Sequence, residues 1–269
     1  MTKLIEFKNK EGDTLRGLYK SAHGGTGVVF IHGFERTVVE PKFKNISDRL
    51  TGSVSVFAFD FSGAGLSDGK FNDITAEKCV DELSRAIKTL KRQNKGIKRV
   101  VLVAHSFACC VALQYITSIK NDVEKVVFLA PAFNQKALQR YWFAQSHAKH
   151  GKRTKIVTWK NYAEHFTEKD FQEFVRIPKR QTKSNYISNK YFLENADADY
   201  QELFSSCKLS PKQIMIIHGG KDRKVPKESN GNIPEGVKLI IVKDGDHDLE
   251  RANVVPQYIN KVVRFISDV

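Results

Sequence analysis

Two short segments near the start of the chain alternate between apolar and polar residues. They cover residues 4–8 and 14–20 and flank the turn-forming residues Glu11-Gly12-Asp13. Alternation with a period of two places apolar side chains on one face of a strand, so each segment is predicted to be a half-buried strand. The short connection that contains glycine predicts that the two strands pair as an antiparallel hairpin.

Continuous apolar runs then alternate along the chain with segments of helical periodicity. Six runs are predicted to be buried strands, at residues 27–31, 54–59, 100–103, 125–129, 214–217 and 238–242. Helices are predicted at 43–50, from the N-cap Thr75 to about 94, from the end of the third run to about 120, at 200–207 and at about 249–266. Strands that are apolar on both faces are typical of parallel sheets covered by helices. Together with the hairpin, this pattern predicts an α/β fold with a mostly parallel eight-stranded sheet and helices on both faces.

The alternation of strands and helices stops between residues 134 and 198. This segment has helical pieces, no comparable apolar run, and many aromatic residues, namely Tyr141, Trp142, Phe143, Trp159, Tyr162, Phe166, Phe171 and Phe174. It contains 13 Lys and Arg against 6 Asp and Glu, so its net charge of +7 is half the +14 of the whole chain. We interpret it as a helical cap inserted over the carboxyl edge of the sheet, where a cap excludes water and shapes a pocket. The predicted organisation is a core over 1–133 and 199–269, with the cap over 134–198.

Length and composition limit what kind of protein the chain can be. With 269 residues, of which 41% are hydrophobic, it is long enough for one large domain that carries an insertion. Its first residues show no signal-peptide pattern, and no window approaches the roughly 20 apolar residues of a membrane span. The four cysteines have no metal-ligand spacing, which favours packed thiols in a reducing compartment. We therefore expect a cytoplasmic protein without a membrane span, a cofactor or a metal.

The positive charge raises the question of an anionic partner. A net charge of +14 is compatible with binding to nucleic acid or to a membrane surface. No basic helix interleaved with aromatic residues is present, so we expect no nucleic-acid binding and interpret the chain as a generally basic protein. The glycine-rich loop at 60–69 lacks the lysine and the spacing of a phosphate-binding loop, which argues against nucleotide binding. We expect the protein to be a monomer or a homodimer.

A serine follows the third apolar run directly. The sequence Ala104-His105-Ser106-Phe107-Ala108 separates this run from a helix, so Ser106 is predicted to lie at the apex of a sharp strand-to-helix turn. Such a turn exposes the serine hydroxyl above the edge of the sheet, where a base can reach it. The usual motif has glycines where this chain has Ala104 and Ala108, and a serine at this position can also be a helix N-cap. The pentapeptide alone leaves both alternatives open.

An aspartate and a histidine follow the last two predicted strands. Asp222 comes shortly after one of them and His247 shortly after the other. Ligands bind at the carboxyl ends of the strands in open α/β sheets. A serine, an aspartate and a histidine in this chain order suit nucleophilic catalysis with the histidine as base. Asp244, Asp246 and Asp248 also lie near His247 in the sequence, but we prefer Asp222 because it has a strand end of its own.

These segments together resemble the α/β-hydrolase superfamily over nearly the whole chain. The resemblance is carried by His32-Gly33-Phe34, FDFSGAGLSDG at 59–69, AHSFA at 104–108, LAPA at 129–132, IHGGKDRKVP at 217–226 and DGDH at 244–247. The segments are most similar to the cinnamoyl and feruloyl esterases, with the monoacylglycerol-lipase-like and serine-aminopeptidase-like hydrolases as neighbours. The cap has no counterpart that aligns, so the resemblance specifies the fold and the triad more closely than the substrate.

The resemblance implies a role for each residue of the site. Ser106 is expected to be the nucleophile, His247 the general base and acid, and Asp222 the acid that orients the imidazole. The backbone N–H groups of Phe34 and Phe107 are expected to hold the oxyanion. The expected function is that of a serine carboxylesterase of the cinnamoyl or feruloyl type, which cleaves small-molecule esters through an acyl-enzyme. An aminopeptidase or amidase of the same fold, or a protein that only binds a small ligand in this pocket, are the alternatives.

Overall fold

Most strands of the protein belong to one large sheet. The computed structural model describes residues 1–50, 52–118, 121–150 and 156–268. In chain order the strands are β1 (Thr2–Lys8), β2 (Thr14–Lys20), β3 (Thr26–Ile31), β4 (Val54–Phe59), β5 (Arg99–His105), β6 (Val123–Leu129), β7 (Lys179–Gln181), β8 (Tyr186–Ser188), β9 (Ile214–Gly219) and β10 (Lys238–Val242). β7 and β8 form a separate hairpin, and the other eight lie in the order β1-β2-β4-β3-β5-β6-β9-β10. The pairs β1–β2 and β2–β4 are antiparallel and the remaining pairs are parallel. The predicted eight-stranded, mostly parallel sheet is confirmed. The prediction that the strand at 238–242 is buried is wrong, since β10 lies at the edge of the sheet with Leu239 50% and Ile241 42% exposed.

Helices cover both faces of this sheet, as predicted. They are α1 (Pro41–Arg49), α2 (Ala76–Gln93), α3 (Ala108–Ser118), α4 (Gln135–His150), α5 (Glu168–Arg176), α6 (Asn189–Asn195) and α7 (Ile259–Ser267). α2 and α3 pack on one face, where Leu83 of α2 is buried, and α1 and α7 pack on the other, where Phe43 of α1 is buried. In β5, Leu102 faces the first of these cores and Val101 faces the second. Because both faces are covered, the strand reads as a continuous apolar run rather than an alternating one.

The last helix is shorter than the sequence predicts. The prediction that it begins at about residue 249 is wrong, since α7 begins at Ile259. Leu249 has a φ of 56°, which is outside the right-handed helical region, and its carbonyl accepts a hydrogen bond of 2.9 Å from the Tyr258 hydroxyl. Val254 and Val255 are buried in turns before α7. Buried residues at this spacing are typical of a helix, although the segment before Ile259 is not an α-helix.

The segment between β6 and β9 contains α4, α5, α6 and the hairpin of β7 and β8. Its two ends lie side by side, because the Lys136 N–H donates to the Ala198 carbonyl at 2.8 Å and the Tyr200 N–H donates to the Phe133 carbonyl at 3.0 Å. Sequence analysis predicted helices here and missed the hairpin. β7 and β8 have three residues each, and Ile187 is the buried residue among these six. The sequence therefore contains no apolar run that would predict either strand. The division of the chain at 134 and 198 stays a prediction.

Candidate active site

Ser106 lies in the turn between β5 and α3. Its φ of 56° is in the left-handed region, which is costly for a serine. The Ser106 N–H donates to the Leu129 carbonyl at 2.9 Å, and the Ser106 carbonyl accepts from the Ala132 N–H at 3.3 Å. Gly33 packs so closely against the turn that a Cβ on it would lie 3.1 Å from Ser106 Cβ. These contacts hold the serine in its strained conformation and fix the position of its hydroxyl.

The side chains of Ser106, His247 and Asp222 form a continuous line of hydrogen bonds. His247 Nε2 lies 2.9 Å from Ser106 Oγ, and His247 Nδ1 lies 2.8 Å from Asp222 Oδ2. The Asp222 side chain is fully buried, and that of His247 is 10% exposed. An ionised carboxylate can only accept, so Nδ1 of the neutral ring carries the proton and Nε2 accepts from the serine hydroxyl. The structure therefore brings together the three side chains that the sequence analysis selected.

The second carboxylate oxygen of Asp222 is held by the backbone. Asp222 Oδ1 accepts from the N–H groups of Lys224 at 2.9 Å and Val225 at 2.8 Å. The buried ring of His218 lies nearby, with Nε2 2.9 Å from the Val225 carbonyl oxygen. Burial lowers the pKa of His218, so this ring is neutral and does not compete as a cation for the carboxylate. With both oxygens engaged, the plane of the carboxylate is fixed toward His247.

Gly219, the last residue of β9, allows the loops of Asp222 and His247 to meet. A Cβ on Gly219 would lie 2.5 Å from the carbonyl oxygens of both Gly245 and Asp246. No side chain fits at such a distance, so the two loops pack backbone against backbone only because this residue is glycine.

The other aspartates near His247 in the sequence are engaged elsewhere. They form ion pairs with basic residues: Asp244 with Lys221, Asp246 with Arg251, and Asp248 with Arg36 and Lys224. Their side chains are 30–42% exposed, whereas that of Asp222 is fully buried. In the described part of the chain, the acid that hydrogen-bonds to the His247 ring is Asp222.

Two backbone N–H groups lie near Ser106, that of Phe34 in the loop after β3 and that of Phe107 in the turn after β5. Gly33 and Phe34 line the same cavity as Ser106 and Phe107. Among the described residues, no acceptor is hydrogen-bonded to the N–H of Phe34 or to that of Phe107. Unpaired N–H groups beside a serine hydroxyl are the donors that a developing oxyanion requires.

His105, the last residue of β5, supports the loop that carries His247. Its Nε2 lies 3.0 Å from the His247 carbonyl oxygen, so Nε2 carries the proton. The ring is buried, and this burial lowers the pKa of His105 well below its usual value. Sequence analysis did not assign this role to His105, because its partner lies 142 residues further along the chain.

We expect the buried His105 to make the folded protein sensitive to acid. Because its pKa is lowered in the folded state, the unfolded chain takes up the proton first. Stability is therefore complete above the unfolded pKa of about 6.5 and is lost as the pH falls below that value. His105→Gln keeps an N–H for the His247 carbonyl but does not titrate. Urea unfolding between pH 6.5 and 5 should show the wild type losing up to about 1.4 kcal/mol per pH unit relative to this variant. A difference that does not change with pH would contradict the expectation.

A cavity of about 290 Å³ opens onto Ser106. Five aromatic side chains line it, from the core and from the segment between β6 and β9, namely Phe34, Phe107, Trp142, Tyr191 and Phe192. The Tyr191 ring packs against Phe34 and Phe107, with centroids 4.8 Å and 5.1 Å apart. Arg36 and Lys224 are the Lys and Arg residues on the walls, which carry no Asp or Glu from the described residues. The segment between β6 and β9 thus forms one side of an apolar cavity that also has two basic residues on its walls.

Glu35 connects the loop after β3 to the turn between β7 and β8. Its Oε1 accepts from the Ser184 N–H at 3.2 Å and from Asn185 Nδ2 at 3.1 Å, and the Thr182 hydroxyl donates to the same oxygen. Glu35 directly follows Phe34 in the chain, and Thr182 lines the cavity. One carboxylate therefore connects the turn between β7 and β8 to the loop that contains Phe34. Sequence analysis missed this contact, since the partners are 147 to 150 residues apart.

Replacing Glu35 with alanine is expected to release the hairpin turn. Lys183 is exposed in this turn, and trypsin should cut after it more readily once the turn is mobile. Loss of hydrogen bonds to a charged acceptor, worth about 1.5–3 kcal/mol, should raise the initial cleavage rate about tenfold or more. Glu35→Gln keeps an acceptor oxygen and should have a smaller effect. Mass spectrometry of the fragments measures these rates, and equal cleavage of wild type and Glu35→Ala would count against the connection.

Within the described ranges, no group of three or more His, Cys, Asp and Glu side chains is arranged to hold a metal ion. None of the helices in that part of the chain has both the length and the apolar character needed to cross a bilayer.

Comparison with known sequences identifies a family. A sequence model described as "Alpha/beta hydrolase family" matches residues 28–256. A curated protein of Arabidopsis thaliana, named "Probable lysophospholipase BODYGUARD 1", is 25% identical over 265 residues. The match covers 82% of this chain and 54% of that protein. The chain thus spans about half the length of the curated relative.

Comparison with solved structures finds the same fold throughout. Est1E from Butyrivibrio proteoclasticus, solved with ferulic acid bound, is 15% identical, with a TM-score of 0.71 over 98% of this chain and 96% of that chain. The Pyrococcus furiosus esterase PF2001 is 18% identical, with a TM-score of 0.69 over 100% of this chain and 91% of that chain. Mouse alpha/beta hydrolase domain-containing protein 10 is 17% identical, with a TM-score of 0.69 over 99% of both chains. At such identities the likeness shows the fold alone.

Proposed function

The chain belongs to the alpha/beta hydrolase family, and on that premise we propose that it is a serine hydrolase that cleaves carboxylic esters through an acyl-enzyme. The main support is the hydrogen-bonded line of Ser106, His247 and Asp222, with distances of 2.9 Å and 2.8 Å between successive side chains. A nucleophile, a base within hydrogen-bond reach and a third group that orients the base are the requirements for this chemistry.

The first half of the proposed reaction forms the acyl-enzyme. His247 Nε2 takes the proton of Ser106 Oγ as this oxygen attacks the carbonyl carbon of the ester. The carbonyl oxygen becomes an oxyanion, which accepts hydrogen bonds from the N–H groups of Phe34 and Phe107. Asp222 stabilises the imidazolium through the hydrogen bond to Nδ1. When the tetrahedral intermediate collapses, the C–O bond to the alcohol breaks and Nε2 returns the proton to the leaving oxygen.

The second half releases the acid. A water molecule loses a proton to His247 Nε2 and attacks the acyl carbon, and the oxyanion again lies against the two N–H groups. Collapse then breaks the bond to Ser106 Oγ, which recovers its proton from Nε2. The cycle needs no group beyond the side chains and backbone of this chain and water.

Within this reaction, we propose a carboxylesterase of the cinnamoyl or feruloyl type. The aromatic walls contributed by Phe34, Phe107 and Tyr191 suit a planar aryl acyl group. A cavity of about 290 Å³ matches a small or medium acyl chain better than a long one. A solved structure of this fold that has ferulic acid bound adds support at the level of the fold.

Hydrolysis of a short panel of esters tests the proposal. The purified protein should cleave p-nitrophenyl acetate, p-nitrophenyl butyrate and methyl ferulate, and it should react covalently with a fluorophosphonate probe. The p-nitroanilide of butyric acid, with the same acyl group, serves as the amide control and should react far more slowly. Ester cleavage no faster than in buffer would overturn the proposal.

The same panel addresses the alternative functions. An aminopeptidase needs acidic groups to bind a substrate amine, whereas Arg36 and Lys224 on the cavity walls are basic. Faster cleavage of amino-acid anilides than of esters would favour an aminopeptidase nonetheless. Tight retention of a small ligand without turnover would favour a binding protein.

A further inference from the structure

Gln135, the first residue of α4, lines the cavity beside Ser106. The residue is fully buried, and its Nε2 donates to the Ala132 carbonyl at 2.8 Å. Its amide also contacts the Cys110 thiol, but its buried Oε1 accepts no hydrogen bond from the described residues. Gln135 is therefore a residue of the cavity wall whose buried amide oxygen has no partner among the described residues.

The Ala132 carbonyl determines which way this amide points. The carbonyl oxygen can only accept, and it also receives the thiol of Cys110, whose Sγ is 3.1 Å away. If the amide of Gln135 were flipped, two carbonyl oxygens would face each other. The Nε2 group therefore faces Ala132, and Oε1 is the atom left over. The Ala132 N–H in turn donates to the Ser106 carbonyl at 3.3 Å. Ala132 therefore contacts both the turn of Ser106 and the amide of Gln135.

Folding does not explain a buried acceptor without a partner. Such an atom loses its hydrogen bonds to water and gains none in the protein, so buried polar groups in folded proteins are nearly always paired. A substrate that carries a hydrogen-bond donor would supply the partner. A substrate with a methyl group in the same place would leave the acceptor unpaired in a closed site.

We propose that Gln135 is a specificity-determining residue, and that the preferred substrates are esters with a hydroxyl or N–H donor that reaches Gln135 Oε1. This inference rests on the proposed esterase function and adds to it the chemical class of the substrate. The donor can belong to the acyl group or to the alcohol, since both extend from the carbonyl carbon bound at Ser106.

Gln139 provides a matched control on the same helix. It lies one turn after Gln135, is 5% exposed, and neither atom of its amide has a partner among the described residues. It is not on the wall of the cavity that contains Ser106. If Gln135 acted only through the packing of α4, substitution of Gln135 and substitution of Gln139 should change the substrate preference to the same extent.

The test compares pairs of esters that differ only by a hydroxyl in place of a methyl group. On the acyl side, the p-nitrophenyl esters of 3-hydroxypropanoic and butanoic acid form one pair, and those of 4-(hydroxymethyl)benzoic and 4-ethylbenzoic acid form another. On the alcohol side, the pair is 2-hydroxyethyl and propyl benzoate. Each kcat/KM is divided by the rate of alkaline hydrolysis of the same ester, which removes differences in intrinsic reactivity.

The wild type should prefer the hydroxyl ester of at least one pair by roughly 5- to 150-fold, the range for leaving one buried polar group unpaired. Gln135→Leu should reduce this ratio to about 1, and Gln135→Met provides a second variant of similar length if the leucine variant does not fold. Gln139→Leu should keep the wild-type ratio. A wild type without preference in any pair, or equal ratios in the variants at 135 and 139, would overturn the inference while ester cleavage itself still supports the proposed function. Absence of cleavage of every ester would overturn both.

Discussion

The Ser106→Ala variant is expected to lose nearly all esterase activity, with kcat on p-nitrophenyl butyrate lower by about 10⁵-fold or more. Alanine removes Oγ, the atom that lies 2.9 Å from His247 Nε2, so no covalent acyl-enzyme can form. The N–H groups of Phe34 and Phe107 stay in the variant and account for any residual rate. Because the φ of 56° is imposed by the surrounding turn, the variant should keep the wild-type fold, which circular dichroism can verify.

A fluorophosphonate probe adds a second, covalent measurement. In the wild type, mass spectrometry should find the adduct on the peptide that contains Ser106, and in Ser106→Ala that adduct should be absent. Ser206→Ala is the matched control, because its hydroxyl only donates to the nearby Leu203 carbonyl in an exposed turn. That variant should retain wild-type activity and labelling. Wild-type turnover by Ser106→Ala would exclude Ser106 as the nucleophile.

The Asp222→Asn variant is expected to show the second-largest loss, about 10⁴-fold in kcat. The N–H groups of Lys224 and Val225 require an acceptor, so the amide oxygen of the new asparagine takes the place of Oδ1. The amide nitrogen then faces His247 Nδ1. Two donors cannot face each other, so the ring changes to the tautomer with its proton on Nε2. In that form His247 donates to Ser106 and cannot take its proton.

This loss should be in kcat, with little change in KM, because Asp222 is buried behind His247 and does not line the cavity. Asp246→Asn is the control, since Asp246 is near His247 in the sequence but pairs with Arg251. Its activity should stay within about threefold of wild type, as is usual for a substitution outside the reacting groups. Similar losses in the two variants would show that the acid cannot be assigned to Asp222.

The architecture of the core was largely predictable from the sequence. The β1–β2 hairpin and the six further strands of the large sheet were predicted within a few residues, because side-chain periodicity is a local property of a strand. The burial of β10 was not, since a strand at the edge of the sheet can be apolar and still exposed. The last helix was the clearest error. Val254 and Val255 supplied an apolar spacing, but the Tyr258 hydroxyl holds the Leu249 carbonyl in a turn, and no local pattern reveals such a contact.

Sequence analysis selected Ser106, Asp222 and His247 because each follows a strand that was predicted to be buried, and the carboxyl ends of parallel strands meet at one edge. Sequence analysis did not predict the hydrogen bonds that support these three residues from distant parts of the chain. Glu35 binds residues 182–185 in the turn between β7 and β8, and the His105 ring binds the His247 carbonyl. Each of these contacts joins positions more than 100 residues apart, so it exists only after the chain has folded.

The sequence by itself determined where the strands of the core and most of its helices lie and which polar residues stand at the strand ends, since both follow from the period of the side chains along a local backbone. Only the tertiary structure decided the shape of the cavity and the absence of a partner for the buried amide oxygen of Gln135. It also decided the hydrogen bonds that connect Glu35 to the turn between β7 and β8. The reason is geometric. A hydrogen bond depends on the positions of two atoms to within a few tenths of an ångström, and between distant parts of a chain only the packing of the whole fold sets those positions.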